Sequence, residues 1–291
     1  MRVSNLYEKS EKPVISFEFF PPRDEKTGQA FDQTVDALQT LQPGYMSMTF
    51  GAGGSTKDGS YQAVKTLLGK GVPTVAYIAG FGLSPDAIKQ VLDQYKALGV
   101  ETIFAIRGDE PREKDFQPHP DSFAYAGDLI AFIAKNYDFN LGCAGYPEGH
   151  IDAPSREKDI EFLRQKVDNG AQYVVSQYCY DDNIFFDYVD TCRTAGINVP
   201  IIPGIMPVYT VKMTRMLSRI CGTTLVDSMQ ANLDKLEGAD AAEVLAYGVD
   251  FALNQCKTLL NHGVPGLHFY TMNRAPSTTN ILARLREENL L

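Results

Sequence analysis

The stretch Val14-Ile15-Ser16-Phe17-Glu18-Phe19-Phe20-Pro21-Pro22-Arg23 runs directly into Asp24-Glu25-Lys26-Thr27-Gly28. Its first part is rich in β-branched and aromatic residues and reads as a strand over 14–20, which the two prolines stop. Residues 24–41 then read as a helix. The turn between them separates two architectures. A doubly wound nucleotide-binding sheet usually opens with a Gly-rich fingerprint on its first strand-to-helix turn, and FFPPRDEKTG carries none.

The same unit recurs outward from this point. Strand-like runs fall at 14–20, 45–50, 73–79, 102–108, 140–146, 173–180, 200–206 and 266–273. Helix-like stretches follow the first seven, at 24–41, 57–68, 84–98, 121–135, 156–169, 183–195 and 210–220. A longer stretch at 239–261 leads into the last strand, and another at 277–287 follows it. Ser84-Pro85 supplies an N-cap and a proline at the first helical position. Gly99, Gly170 and Gly196 end helices before the next strand. Strict alternation means parallel strands. Eight of them predict an α/β fold, a (β/α)8 TIM barrel formed as a single domain by residues 1–291, with its sites at the C-terminal face of the strands. The length suits this, since such barrels typically take about 250 residues.

Composition narrows the function classes. No apolar run approaches the roughly 20 residues a membrane helix needs. The opening MRVSNLYEKSEKP lacks the apolar core of a secretory signal. Five dispersed cysteines without a C-x-x-C pair fit free thiols in a reducing cytoplasm. A net charge of -9 disfavours nucleic-acid or anionic-membrane partners, while leaving room for a local phosphate pocket.

Strand alternation then assigns faces. Ile15, Phe17 and Phe19 form the helix-facing set, and Ser16, Glu18 and Phe20 the inward one. Glu18 falls near the C-terminal mouth, where barrel enzymes place their chemistry. Ser47, Thr49 and Gln177 turn inward by the same parity. The fourth run ends in Arg107-Gly108-Asp109 and the fifth in Tyr146-Pro147-Glu148-Gly149-His150. Each has an ordinary reading alone: Glu18 as a structural carboxylate paired with an arginine, Arg107 and Asp109 as a loop ion pair, His150 as a plain loop histidine. Their convergence on one rim is the argument for a site.

Several motifs are missing. Gly51-Ala52-Gly53-Gly54-Ser55-Thr56 has no Walker lysine, although a strand-to-helix turn can present N–H groups to an anion. His119, His150, His262 and His268 lack metal-ligand spacing, and no G-x-S-x-G elbow occurs. The pattern points away from a metal or a serine nucleophile and toward an acid working with an organic cofactor.

The blocks SFEFFPP, MTFGAGGST, AIRGD, CAGYPEGH, VVSQYCYD, IIPGIMPV and HFYTMNR occur in order from residue 16 to Arg274. Together they resemble the bacterial methylenetetrahydrofolate reductases. The resemblance implies a barrel carrying FAD that reduces 5,10-methylenetetrahydrofolate to 5-methyltetrahydrofolate with NADH or NADPH by ping-pong turnover. It also implies a cytoplasmic homo-oligomer, dimer or tetramer, of the short form without an added regulatory domain. By motif, Glu18 takes the place of the general acid, and Asp109 lies beside the flavin and the pterin. Gln177, Arg274 and Met213 fall at substrate contacts. The FAD set would be Thr49, Phe50, Ala52, Tyr77, Arg107, Gly108, Asp109, Tyr125, Ala126, Tyr146, His150, Asp159 and Lys166. Three departures stand out. Tyr77 replaces a histidine usual on the third strand, Phe162 and Gln165 replace asparagine and arginine of some members, and Met213 stands where glutamine is common.

The implied chemistry explains the opening stretch. Opening the five-membered ring of the substrate needs a proton at N10 and leaves an iminium at N5. A solvated glutamate has a pKa of about 4.3 and would be ionised near neutrality. Apolar surroundings disfavour the charged form, so the aromatic neighbours of Glu18 are expected to keep it protonated. Asp109, at a solvated rim beside Arg107, is expected to stay anionic and stabilise the iminium. The Gln177 amide both donates and accepts, which suits one pocket visited by nicotinamide and pterin in turn. Arg107, Lys166 and His150 would meet the diphosphate. Two other readings remain open at this point: hydride passing directly from NADH to folate without flavin, and a non-catalytic folate-binding subunit.

Overall fold

The structure, a computed structural model, describes residues 1–50, 57–110 and 116–291. The first half comprises α1 (Val3–Lys9), β1 (Val14–Phe19), α2 (Glu25–Gln39), β2 (Tyr45–Met48), α3 (Lys57–Gly69), β3 (Thr74–Ala79), α4 (Pro85–Ala97), β4 (Thr102–Ile106), α5 (Ala126–Asn136) and β5 (Asn140–Gly145). The second comprises α6 (Arg156–Asp168), β6 (Tyr173–Ser176), α7 (Asp182–Thr194), β7 (Ile201–Ile202), β8 (Gly204–Ile205), α8 (Val211–Cys221), α9 (Asp227–Lys235), α10 (Ala241–Asn261), β9 (Gly266–Tyr270) and α11 (Pro276–Glu287).

All pairings are parallel, in the order β7-β6-β5-β4-β3-β2-β1-β9-β8. The two ends of that order, β7 and β8, are halves of the single run expected at 200–206. Pro203 divides them because it has no N–H to give the ladder. β7 pairs with β6 and β8 with β9, so this run closes the barrel. The fold is the expected TIM barrel.

The parity of β1 is as expected up to Phe19. Ile15, Phe17 and Phe19 pack in the layer between barrel and helices with Phe31, Val35 and Leu38 of α2. Phe19 meets Phe31 edge to face at 5.6 Å. Burying a side chain of this size contributes about 1.5–3 kcal/mol. The barrel interior holds a second cluster, built from Val14, Tyr45, Val75, Tyr77, Phe104, Tyr173, Val175 and Ile202. Phe20 departs from the expectation. It lies beyond the strand, 42% exposed, and does not point inward.

Two helices were not read from the sequence. α1 closes the N-terminal end of the barrel: Leu6 and Tyr7 pack on the interior cluster, and Ser4 N–H donates to Asn140 Oδ1 at 3.0 Å. α9 buries Met229 and Leu233 four residues apart, but it begins without a side-chain cap at Val226, so the usual start signal is missing. α2, by contrast, starts with a capping box at Asp24 and Thr27. Among the described residues no helix is long and apolar enough to cross a membrane.

Candidate active site

The C-terminal end of β1 is fixed from its neighbour. Thr271 Oγ1 donates to the Glu18 carbonyl at 2.6 Å. Phe20 N–H donates to Asn273 Oδ1, and Asn273 Nδ2 donates back to the Phe20 carbonyl, both at 2.9 Å. Asn273 holds this clamp from a left-handed backbone, φ +55°, beside Met272 at φ +51°. Asparagine tolerates that region better than most side chains. Asn273→Ala should lose both bonds and strain the turn, lowering stability by about 1–2 kcal/mol in a denaturant titration; an unchanged midpoint would show the clamp to be idle.

Glu18 is held inside this frame, 6% exposed. The Tyr77 hydroxyl donates to its Oε2 at 2.6 Å. Burial, together with the charge of Glu18, pushes the Tyr77 hydroxyl well above the usual phenol range, so it acts as a donor. Its ring stacks on Phe104 at 4.4 Å. His268, fully buried on β9, places Nε2 3.7 Å from the same carboxylate oxygen. Tyr77 therefore both donates and stacks, but toward Glu18 and Phe104.

The ends of β4 and β5 and the helix α6 gather a second set. Arg107 is half-buried and pairs with Asp152 at 2.9 Å. The ordinary reading of Arg107 and Asp109 as a loop ion pair does not hold, since Asp109 is exposed and makes no ion pair among the described residues. Gly108 has φ +87°, and a Cβ there would stand 2.7 Å from the Ala79 Cβ, so only glycine turns the chain this closely. His150 accepts from Asp152 N–H through Nδ1 at 3.1 Å and meets the Tyr146 ring edge-on at 4.6 Å. Burial, and then the Arg107 charge, pull the His150 imidazole below its ordinary value. Asp159, on the first turn of α6, is 7% exposed, and burial raises its carboxyl while Lys166 and His150 oppose the shift. Lys166 donates to the Ala144 carbonyl at 2.6 Å with its ammonium 5.7 Å from the Tyr146 ring centre.

The remaining expected positions are spread around the same rim. Thr49 follows β2; its N–H donates to the Phe19 carbonyl at 2.9 Å, and its own carbonyl accepts from Ser60. Phe50 is buried in the interior cluster. Ala52, with the rest of 51–56, lies outside the described residues. Tyr125 is the N-cap residue of α5 and Ala126 its first residue. Tyr125 is 65% exposed, and its ring lies parallel to Phe162 at 6.4 Å. Gln177 is half-buried just past β6, its N–H bonded to the Gly145 carbonyl at 2.7 Å. Met213 is half-buried on α8. Arg274 is exposed, its guanidinium 5.8 Å from the Tyr209 ring centre. Asn273, Thr271 and His268 were not singled out as site residues, although HFYTMNR contains all three. The parity of that run already puts His268 and Tyr270 on one face.

Comparison with known proteins decides what this arrangement belongs to. The profile of the methylenetetrahydrofolate reductase family matches residues 2–286. This chain belongs to that family. It is 35% identical over 285 residues to methylenetetrahydrofolate reductase (NADH) 1 of Arabidopsis thaliana, covering 94% of this chain and 48% of the relative. To 5,10-methylenetetrahydrofolate reductase of Escherichia coli it is 32% identical over 262 residues, covering 90% of this chain and 86% of the relative. The chain thus spans about half the length of the plant reductase, against most of the bacterial one. Among solved structures, an uncharacterized protein from Clostridium thermocellum that binds two copies of 5-methyl-5,6,7,8-tetrahydrofolic acid superposes with a TM-score of 0.66. It is 15% identical and is covered to 98%, as is this chain, which supports the fold.

Proposed function

We propose that this member of the methylenetetrahydrofolate reductase family reduces 5,10-methylenetetrahydrofolate to 5-methyltetrahydrofolate with FAD and NADH or NADPH. The observation that carries the reading is a buried carboxyl group, Glu18, at the mouth end of β1 in a barrel of this family. The rim also fits a dinucleotide. The Arg107 and Lys166 charges both reach His150, a grouping that suits a diphosphate, and Gly108 leaves the backbone bare beside them. When bound, FAD would supply the hydride chemistry.

The protein's own part is to place and protonate. Glu18 delivers a proton to N10 of the substrate; the bond from N10 to the one-carbon unit breaks, and an N5 iminium forms. Tyr77 keeps the carboxyl group on its rotamer through the 2.6 Å hydrogen bond. Asp109, exposed at the rim and without an ion pair among the described residues, would face the cationic iminium. Gln177 offers donor and acceptor to the pterin or the nicotinamide in turn, consistent with one pocket and ping-pong turnover. Arg274 and Met213 complete the substrate side.

The test is an absorbance spectrum of the purified chain. It should show bound flavin that bleaches with NADH without air and recovers on adding methylenetetrahydrofolate, with parallel double-reciprocal plots in steady state. Colourless protein that still turns over after FAD is stripped would instead support direct hydride transfer.

A further inference from the structure

His268 has an unusual position for a residue with no assigned task. It is fully buried, and its Nε2 is a buried polar atom with no hydrogen-bond partner among the described residues. Such atoms are rare in folded proteins and call for an explanation. Glu18 Oε2 lies 3.7 Å from it. A shift of about 1 Å would bring the pair to hydrogen-bonding distance. The other ring nitrogen is already held: Nδ1 lies 2.7 Å from Ser16 Oγ, and Ser16 Oγ lies 3.4 Å from the Leu267 carbonyl.

We infer that His268 is a positioning residue that supplies Glu18 with the proton it passes to the folate. The inference rests on the function proposed above. In the charged ring, Nδ1–H is donated to Ser16 Oγ, whose own hydrogen points to the Leu267 carbonyl, and Nε2–H faces Glu18. The Nε2–H bond breaks as the Oε2–H bond forms. His268 becomes neutral with Nδ1 still protonated, so Ser16 need not rearrange. Glu18 then gives that proton to N10 as the ring bond breaks; once product has left the open pocket, the next proton enters through Glu18, the more exposed of the two, and recharges His268. Each turnover consumes one proton and no further reactant.

The surroundings restrict the exchange to this pair. Tyr45 on β2 stacks on the imidazole at 6.1 Å, Tyr270 on β9 meets it edge-on at 5.3 Å, and Tyr77 on β3 faces the carboxylate. Tyr7 on α1 lies behind, 3.1 Å from the Tyr45 hydroxyl. Burial raises all four phenols, that of Tyr45 to about 12 and the others well above 10.0, so none releases a proton near neutrality.

His268→Gln keeps a side chain of similar reach but cannot carry a proton. Stopped-flow mixing should show NADH reducing the flavin at the parent rate. Reoxidation by methylenetetrahydrofolate should slow, and the size of the loss should differ about tenfold between about pH 6 and about pH 8, because the parent ring carries a proton that glutamine cannot. A purely structural role predicts the same loss at both; that result, or no loss, overturns the inference. A second measurement does not need turnover. In 15N-histidine spectra of the folded chain, Glu18→Gln should change the pH response of the His268 ring signals while leaving those of His119 and His262 in place. Unaltered His268 signals overturn the pairing. If the parent chain fails to reoxidise with methylenetetrahydrofolate, the proposed function falls, and the spectra still decide whether the pair exchanges a proton.

Discussion

Under the proposed function, Glu18→Gln should leave NADH-driven bleaching of the flavin at the parent rate and slow its reoxidation by methylenetetrahydrofolate by about a thousandfold. The amide is nearly isosteric and keeps a carbonyl oxygen to accept from Tyr77, so the 2.6 Å contact and the packing survive. What it lacks is a transferable proton. With Glu18 only 6% exposed, bulk water is poorly placed to replace it. The two half-reactions separate cofactor reduction, which needs no acid at N10, from ring opening, which does. Stopped-flow absorbance of each half-reaction is the measurement. An unchanged rate with the folate would remove Glu18 from its role, and equal losses in both halves would point to a damaged site.

Gly204→Ala is expected to have the largest effect on stability. Gly204 opens β8, at the point where the barrel closes. A Cβ there would stand 2.3 Å from the Ser176 carbonyl oxygen and 2.5 Å from Tyr270 Cε2. Neither can move freely. The Ser176 oxygen ends β6 and accepts from the Tyr270 hydroxyl at 2.9 Å, and Ser176 Oγ accepts from Gly204 N–H at 3.1 Å. The methyl must therefore push β8 from β6 or tilt the Tyr270 ring. Overpacking of this kind costs about 3 kcal/mol, which for a chain of this size lowers Tm by about 8 °C. Tyr270 is the register partner of Glu18 and its ring adjoins His268, so folate reoxidation should slow as well. Calorimetry showing an unshifted Tm would mean the closure tolerates a side chain.

The residues near Glu18 show how far local sequence reaches. Inward placement of Glu18 follows from its parity with Ile15, Phe17 and Phe19, a relation between neighbours along one strand. Parity also marks His268 and Tyr270 on one face of their run. Sequence could not bring His268 to Glu18, because the two lie 250 positions apart and meet only when β9 docks on β1. Phe20 was misplaced for a related reason. Parity holds only while the ladder continues, and the Asn273 clamp, formed from the far end of the chain, takes the backbone out of the strand at that point. Arg107 likewise found Asp152 across two loops, where adjacency in sequence had suggested Asp109.

Sequence by itself determined the eight strand runs, their parallel order and the rim on which polar groups collect. These follow from periodicity, from helix caps and from which residues a strand can bury, all properties of a few consecutive positions. Tertiary structure alone decided that Pro203 splits the closing strand, that α1 covers the lower mouth, and that Tyr77 and His268 converge on one carboxylate. Those outcomes depend on closing a ring of strands, which sets distances between residues that share no local pattern.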